Sequence, residues 1–256
     1  MTESHFDEIA TVYDDSLPAH VVEHYLAKRA RFVLEHCTPG RALDVGCGTG
    51  LLAERLHAAG YHMTGVDPSN GMLDILRSRA PQIDARQASG TALPFEDDSF
   101  DLVYCVAVMH HVANPLDVRA TLSEMVRVAK PGGCVLVWDH NPRNPYWQVL
   151  MAKVPQDTGD ERLIPEDEVA GGLEAAGASV VESLQLGLVP DFTPKSAMRL
   201  AAMVERAVER TPVLRKLAAH NVVLARKDPP ENTGSRAAAL RPRHGLFGRG
   251  PRQRAR

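Results

Sequence analysis

The stretch LDVGCGTG, residues 43–50, sets an acidic residue behind an apolar run and follows it with three glycines in alternation. An apolar run that ends in glycines reads as a strand delivering the chain into a tight turn, because glycine takes left-handed backbone angles without steric cost. The segment beyond it, GLLAERLHAAG, has helical apolar spacing, so unpaired N–H groups at its start face whatever the turn holds. A dinucleotide fingerprint GxGxxG counted from Gly46 requires its third glycine at position 51, which is Leu51; here the third is Gly50. Asp44 stands two residues before the first glycine, where a carboxylate repels a pyrophosphate and attracts an ammonium group.

A second apolar run, HMTGV, leads into GVDPS and sets Asp67 at a strand tip, 17 residues beyond Gly50. A carboxylate there is able to accept from both hydroxyls of a ribose, whereas Asp-Pro read by itself is an ordinary turn. Upstream, residues 20–37 carry apolar side chains at near-helical spacing and stop before Pro39-Gly40. Downstream the alternation continues with SNGMLDILRSRA as helix, IDARQ and FDLVYCVAV as strands, PLDVRATLSEMVRVA as helix and GCVLVWD as strand. Such alternation implies an α/β fold, a mostly parallel sheet with helices on both faces and ligands gathered at the carboxyl ends of the strands. Past Asn141 come NPRNPYW, a helix in PEDEVAGGLEAAG, the strand SVVESLQLG, a helical segment around PKSAMRLAAMVERAVER and the strand AAHNVVLARK. Two late strands flanking helices predict a closing hairpin with a small helical cap, about residues 188–216, inserted before the last strand.

Composition excludes several classes of function. The formal charge of -3 is uneven: residues 228–256 hold seven Arg against Asp228 and Glu231, which leaves 22 basic and 30 acidic residues in the remainder. An acidic body argues against nucleic acid as a partner, since phosphate binding needs clustered Lys and Arg. Cys37, Cys47, Cys105 and Cys134 stand far apart with no CxxC pair, the pattern of buried, reduced thiols in a cytoplasmic protein. The opening MTESHFDEIATVYDD has no basic region ahead of an apolar core, so no secretory signal is expected, and no apolar run nears the roughly 18 residues of a membrane span. Beyond Lys227 the chain is rich in Pro, Gly and Arg and is expected to be a disordered basic tail.

Taken in order and spacing, FDEIATVYD, LDVGCGTG, GVDPSNGML, ALPFEDDSFDLV, VMHHV and VAKPGGCVLV, from Phe6 to about Val137, resemble the class I S-adenosylmethionine-dependent methyltransferases. The resemblance is to their small-molecule group, related to quinone and sugar methyltransferases. It implies a Rossmann-like sheet of seven strands, residues 1–227 as one methyltransferase domain, and S-adenosyl-L-methionine as cofactor. Gly46, Cys47 and Gly48 would line its methionine part, with Asp44 facing the amino group and Tyr13 closing over that end. Asp67 and Pro68 would border the ribose, Met72 one adenine face, and Gly90 and Thr91 the adenine edge. Relatives commonly carry an acidic residue shortly before ALPF, where this chain has Ser89, a neutral and weaker acceptor.

Methyl transfer to a hydroxyl needs a base. VMHHV puts His110 and His111 just past the fourth strand, and VWDH puts Asp139 and His140 just past the fifth. The resemblance makes His111 the first candidate base and His110 the second, with Asp139 orienting the ring. His140, His20, His24, His36 and His57 read as surface or helix residues, and no His, Cys or carboxylate cluster shows metal-ligand spacing, so no metal is expected. Lys28, Arg29 and Arg31 read as a solvated helix face, or as a contact to an anionic group on cofactor or acceptor. Tyr146, Trp147 and Phe192 read either as lining of an acceptor pocket under the cap or as the cap's own core. The leading expectation is O-methylation of a sugar or natural-product hydroxyl; C-methylation of a quinone or lipid is the alternative, and a non-catalytic S-adenosylmethionine-binding regulator the reading from another class.

Overall fold

The computed structural model describes residues 3–150 and 161–230, so the expected tail lies almost wholly outside the described residues. The elements run α1 (Glu3–Tyr13), α2 (Ala19–His36), β1 (Arg41–Val45), α3 (Leu51–Ala58), β2 (His62–Asp67), α4 (Asn70–Arg79), β3 (Asp84–Gln87) and β4 (Phe100–Val106). They continue as α5 (Met109–Val112), α6 (Pro115–Val128), β5 (Ala129–His140), α7 (Pro145–Leu150), α8 (Glu166–Ala175), β6 (Ala178–Leu186), α9 (Met198–Glu209), α10 (Pro212–Arg215) and β7 (His220–Lys227).

Seven strands form one sheet in the order β3-β2-β1-β4-β5-β7-β6. β1 to β5 run parallel, and β7 inserts antiparallel between β5 and β6. Reversal of strand order between β1 and β4 opens a crevice at their carboxyl ends, which is where the glycine loop and the histidine pair sit. Alternate residues on the central strands feed two cores. Leu102, Tyr104, Leu136 and Trp138 pack under α2, α3 and α4 with Phe32, Leu56, Leu73 and Leu76. Val103, Cys105, Val135 and Val137 pack under α6 and α8 with Leu122, Met125, Val169 and Leu173. All four cysteines are buried free thiols, and among the described residues no helix is long and apolar enough to cross a membrane.

Local chemistry sets the helix starts at the crevice. Ser69 caps α4 by accepting from the Met72 N–H at 3.1 Å, and Asn114 caps α6 ahead of Pro115. α1 lies against the start of α4, where Asp7 Oδ1 accepts from Ser69 Oγ at 2.6 Å and from the Gly71 N–H at 2.8 Å. The N-terminal helix thus closes over the cavity mouth rather than trailing from the domain. The expected cap appears as a short turn, α9 and α10 between β6 and β7. It is pinned to α2 through Glu205, which ion-pairs with Lys28 and accepts from the Leu188 N–H at 2.6 Å. Lys28 is therefore committed to Glu205 and Glu209 and belongs to neither a solvated face nor a ligand contact.

Candidate active site

One cavity of about 910 Å³ opens at the carboxyl ends of β1, β2 and β4 and runs under the cap. Tyr13, Asp44, Gly46, Cys47, Gly48, Asp67, Pro68, Met72, Gly90, Thr91, His110 and His111 all line it, so twelve of the thirteen expected site residues converge there. Asp139, the thirteenth, stands behind His110. Phe192 does not join them: it is 75% exposed, whereas Tyr146 and Trp147 do line the wall.

At the cofactor end the glycine loop is built for close approach. Gly48 has φ +51°, and a Cβ placed on it would meet nothing within 4 Å, so its backbone faces open cavity. Gly46, at φ +73°, has no such room, since a Cβ would come within 2.5 Å of Val108. Asp67 accepts from the Gly48 N–H on Oδ2 and the Ser69 N–H on Oδ1, each at 2.9 Å, leaving a further lone pair on each oxygen for a diol. Burial raises its pKa against those two hydrogen bonds. Met72, 1% exposed, forms an apolar part of the same wall.

Several charges in the cavity wall, among them Asp44, Asp67, Asp191 and Arg29, form no salt bridge among the described residues. Asp44, at 4% exposure, accepts a hydrogen bond from Tyr104 Oη at 2.8 Å, yet burial pushes its pKa up to about 7. Arg29 reaches the cavity from α2, its Nε buried with no acceptor, and burial lowers its pKa. A buried carboxylate and a buried guanidinium outside any salt bridge are costly to hold charged, although Asp139 and Asp191 act favourably on the charge of Arg29. A carboxylate, a guanidinium and the two oxygens of Asp67 on one cavity are groups that fit the ammonium, carboxylate and ribose hydroxyls of S-adenosylmethionine.

Where β4 and β5 end, four imidazoles crowd around one carboxylate. His110 Nδ1 lies 2.6 Å from Asp139 Oδ1, and the His110 N–H donates to Oδ2 at 3.2 Å. The His140 N–H also donates to Oδ1, at 2.6 Å. Burial would raise the Asp139 pKa, but the charge and hydrogen bond of His110 hold it below the ordinary value. Nδ1 as donor to Asp139 leaves Nε2 as the proton-accepting nitrogen of His110, a tautomer assigned from this hydrogen bond. His111 differs: its Nδ1 is buried without a hydrogen-bond partner, 4.0 Å from Glu161, and burial followed by the neighbouring His110 lowers its pKa to about 3. Its ring packs edge-on against Phe6 of α1, centroids 5.3 Å apart.

His140 and His220, at paired ends of β5 and β7, also line the cavity. His140 stacks on Trp147 with centroids 3.6 Å apart, so it is neither a surface nor a helix residue. Its pKa lies well below the ordinary value and that of His220 falls to about 3, both chiefly through burial. One ligand atom each from His110, Asp139 and His140 lies within 4.8 Å of the others, a grouping that spacing along the chain does not reveal. Asp139 Oδ1 already accepts from both the His110 ring and the His140 N–H, the arrangement of a hydrogen-bonded pair.

The family model described as a methyltransferase domain matches residues 43–137, from the glycine strand through β5. Over 164 residues the chain is 35% identical to a demethylmenaquinone methyltransferase of Renibacterium salmoninarum, covering 58% of this chain and 68% of that protein. The chain belongs to the class I S-adenosylmethionine-dependent methyltransferases. This methyltransferase is also 34% identical over 168 residues to a ubiquinone biosynthesis O-methyltransferase of Dinoroseobacter shibae, covering 61% of itself and 65% of that relative. Among solved structures, a methyltransferase of Thermotoga maritima described as a possible histamine N-methyltransferase superposes with a TM-score of 0.67 at 22% identity, covering 88% of this chain and 99% of that one. The methyl donor of this methyltransferase is S-adenosylmethionine, and its acceptor is a small molecule.

Proposed function

We propose that this methyltransferase moves a methyl group to an oxygen of a small hydroxyaromatic acceptor of the quinol type, with His110 as base and Asp139 as its orienting partner. The carrying observation is the buried His110–Asp139 pair at 2.6 Å, beside a cavity that also holds the glycine loop. Bound S-adenosylmethionine supplies an electrophilic methyl on a sulfonium. Asp44 and Arg29 hold the ammonium and carboxylate at its methionine end, Asp67 the ribose hydroxyls, and Met72 with the Gly90–Thr91 backbone the adenine. His110 Nε2 takes the hydroxyl proton while Asp139 steadies the resulting imidazolium. His111 is second in this role, since Asp139 bonds the neighbouring ring, and its edge-on contact with Phe6 fits closure of α1.

The ring-lined cap side supports an aromatic acceptor over a sugar. His140 stacked on Trp147, with Tyr146 and His220 beside them, offers flat faces to a flat ligand. Relatives named for a demethylmenaquinone acceptor and for ubiquinone biosynthesis support the same class. Carbon methylation is the second reading, because a deprotonated phenol carries negative charge on ring carbons as well as on oxygen. The buried free thiols favour a reducing, cytoplasmic setting. Incubation with carbon-13 methyl-labelled cofactor and a panel of quinols, catechols and sugars tests the proposal by NMR. A labelled O-methyl resonance on an aromatic acceptor supports it, a C-methyl resonance moves it to the second reading, and turnover of sugars alone overturns it.

A further inference from the structure

α9 is inside out. Leu200, Met203, Val204 and Ala207 follow i, i+3, i+4, i+7 spacing and form one apolar stripe, which in a soluble domain belongs against the core. Here the stripe faces solvent: Leu200 is 64% exposed, Met203 58% and Val204 49%. The opposite side turns two carboxylates inward, Glu205 and Glu209, both ion-paired with Lys28. Val213, Leu214 and Leu217 extend the exposed apolar surface through α10.

Exposed charge along this segment has one sign. Between residues 195 and 217 the only acids are Glu205 and Glu209, which are sequestered, while Lys195, Arg199, Arg206, Arg210 and Lys216 are exposed. Arg199, Arg206 and Arg210 fall on one flank of the stripe by helical spacing. This basic, apolar face stands on a body that is otherwise acidic, with 30 acidic against 22 basic residues before position 228. An apolar stripe edged by cations suits the headgroup and acyl boundary of a bilayer containing anionic lipid. A second copy would set the same cations against themselves in a symmetric contact, and the arginine-rich residues 228–256 are repelled in the same way.

We infer that α9 and α10 form a docking face for an anionic membrane surface, on which the enzyme sits peripherally. The inner side of the same segment carries Glu205, which holds the N–H groups of Leu188 and Val189, and both of those residues wall the cavity. Docking therefore sets the cap side of the cavity towards the lipid. It holds whichever acceptor is methylated, and its test reads no turnover.

Flotation of the full chain with vesicles of phosphatidylcholine alone, and of equimolar phosphatidylcholine and phosphatidylglycerol, tests it. The wild-type protein is expected to float with the anionic vesicles alone and to be released by salt in part. Leu200→Ser, Met203→Ser and Val204→Ser combined should weaken that affinity about tenfold or more. Each of Arg199→Gln, Arg206→Gln and Arg210→Gln should weaken it about fivefold. None of the six lines the cavity, so S-adenosylhomocysteine affinity and melting temperature should stay at wild type. Absence of wild-type flotation overturns the inference. So does flotation unchanged in the combined serine variant, which assigns attachment to residues 228–256, or self-association that the serine variant abolishes in a protein that ignores vesicles.

Discussion

Asp44→Asn should make the ligand-free protein more stable while removing its cofactor. Asp44 is 4% exposed, and burial lifts its pKa from the ordinary 3.8 to about 7. A folded-state pKa above the unfolded one means that the native state holds the proton more tightly. The relative stability that this gives is complete below about pH 3.8 and lost as pH rises through about 7. About three pH units at about 1.4 kcal/mol each amount to ~4 kcal/mol, a ceiling because the surroundings relax around the charge. Asparagine keeps an oxygen for the Tyr104 hydroxyl and never ionises. In urea unfolding of the ligand-free proteins at pH 8, the variant should gain up to ~4 kcal/mol over wild type. The gap should close as pH falls towards 4. Saturating S-adenosylhomocysteine should reverse the order, because only wild type offers a charge to the ammonium group. Titration of wild type should show affinity level above about pH 8 and falling up to tenfold per unit below 7, and the variant should lose most of that dependence. A ligand-free variant less stable than wild type at pH 8, or one that binds S-adenosylhomocysteine equally well, would refute the reasoning.

Asp67→Ala should weaken S-adenosylhomocysteine binding roughly ten- to hundredfold for each charge-assisted hydrogen bond lost, read by calorimetry. Arg29→Met should cost about tenfold or more in the same titration and little for 5′-methylthioadenosine, which has no carboxylate; equal losses for both ligands would remove Arg29 from the carboxylate. Deleting residues 229–256 should leave melting temperature and cofactor affinity unchanged, since that segment is poor in apolar residues; a drop of many degrees would show it to be packed.

Much of the parallel sheet is legible because its signals are local. Asp44, Gly46, Gly48 and Asp67 announce themselves within short strand-to-helix turns, and the structure brings them onto one cavity. What resists reading depends on contacts between distant segments. His110 and His111 are neighbours on one short helix, their side chains about 100° apart, and no periodicity says which of them meets Asp139 across the strand ends. His140 reads as a surface or helix residue until Trp147 and His220 arrive from α7 and β7 to enclose it. The adjacency of Asp139 and His140 at a parallel strand end was the one available signal. α9 misleads outright, because its apolar stripe would be assigned to the core. Its carboxylates turn inward because Lys28, far away in sequence, waits beneath them. Arg29, one residue on, faces the cavity instead, a division of roles that charge runs along the chain do not show.

The most direct test of the proposed chemistry is the single-turnover rate of methyl transfer to a quinol acceptor, with saturating S-adenosylmethionine, in wild type and His110→Ala. The His110–Asp139 pair predicts a rate lower by about 10² to 10⁴ in the variant, with S-adenosylhomocysteine affinity close to wild type and a smaller loss in His111→Ala. A His110→Ala rate within severalfold of wild type, at an unchanged pH profile, would contradict base catalysis by this pair.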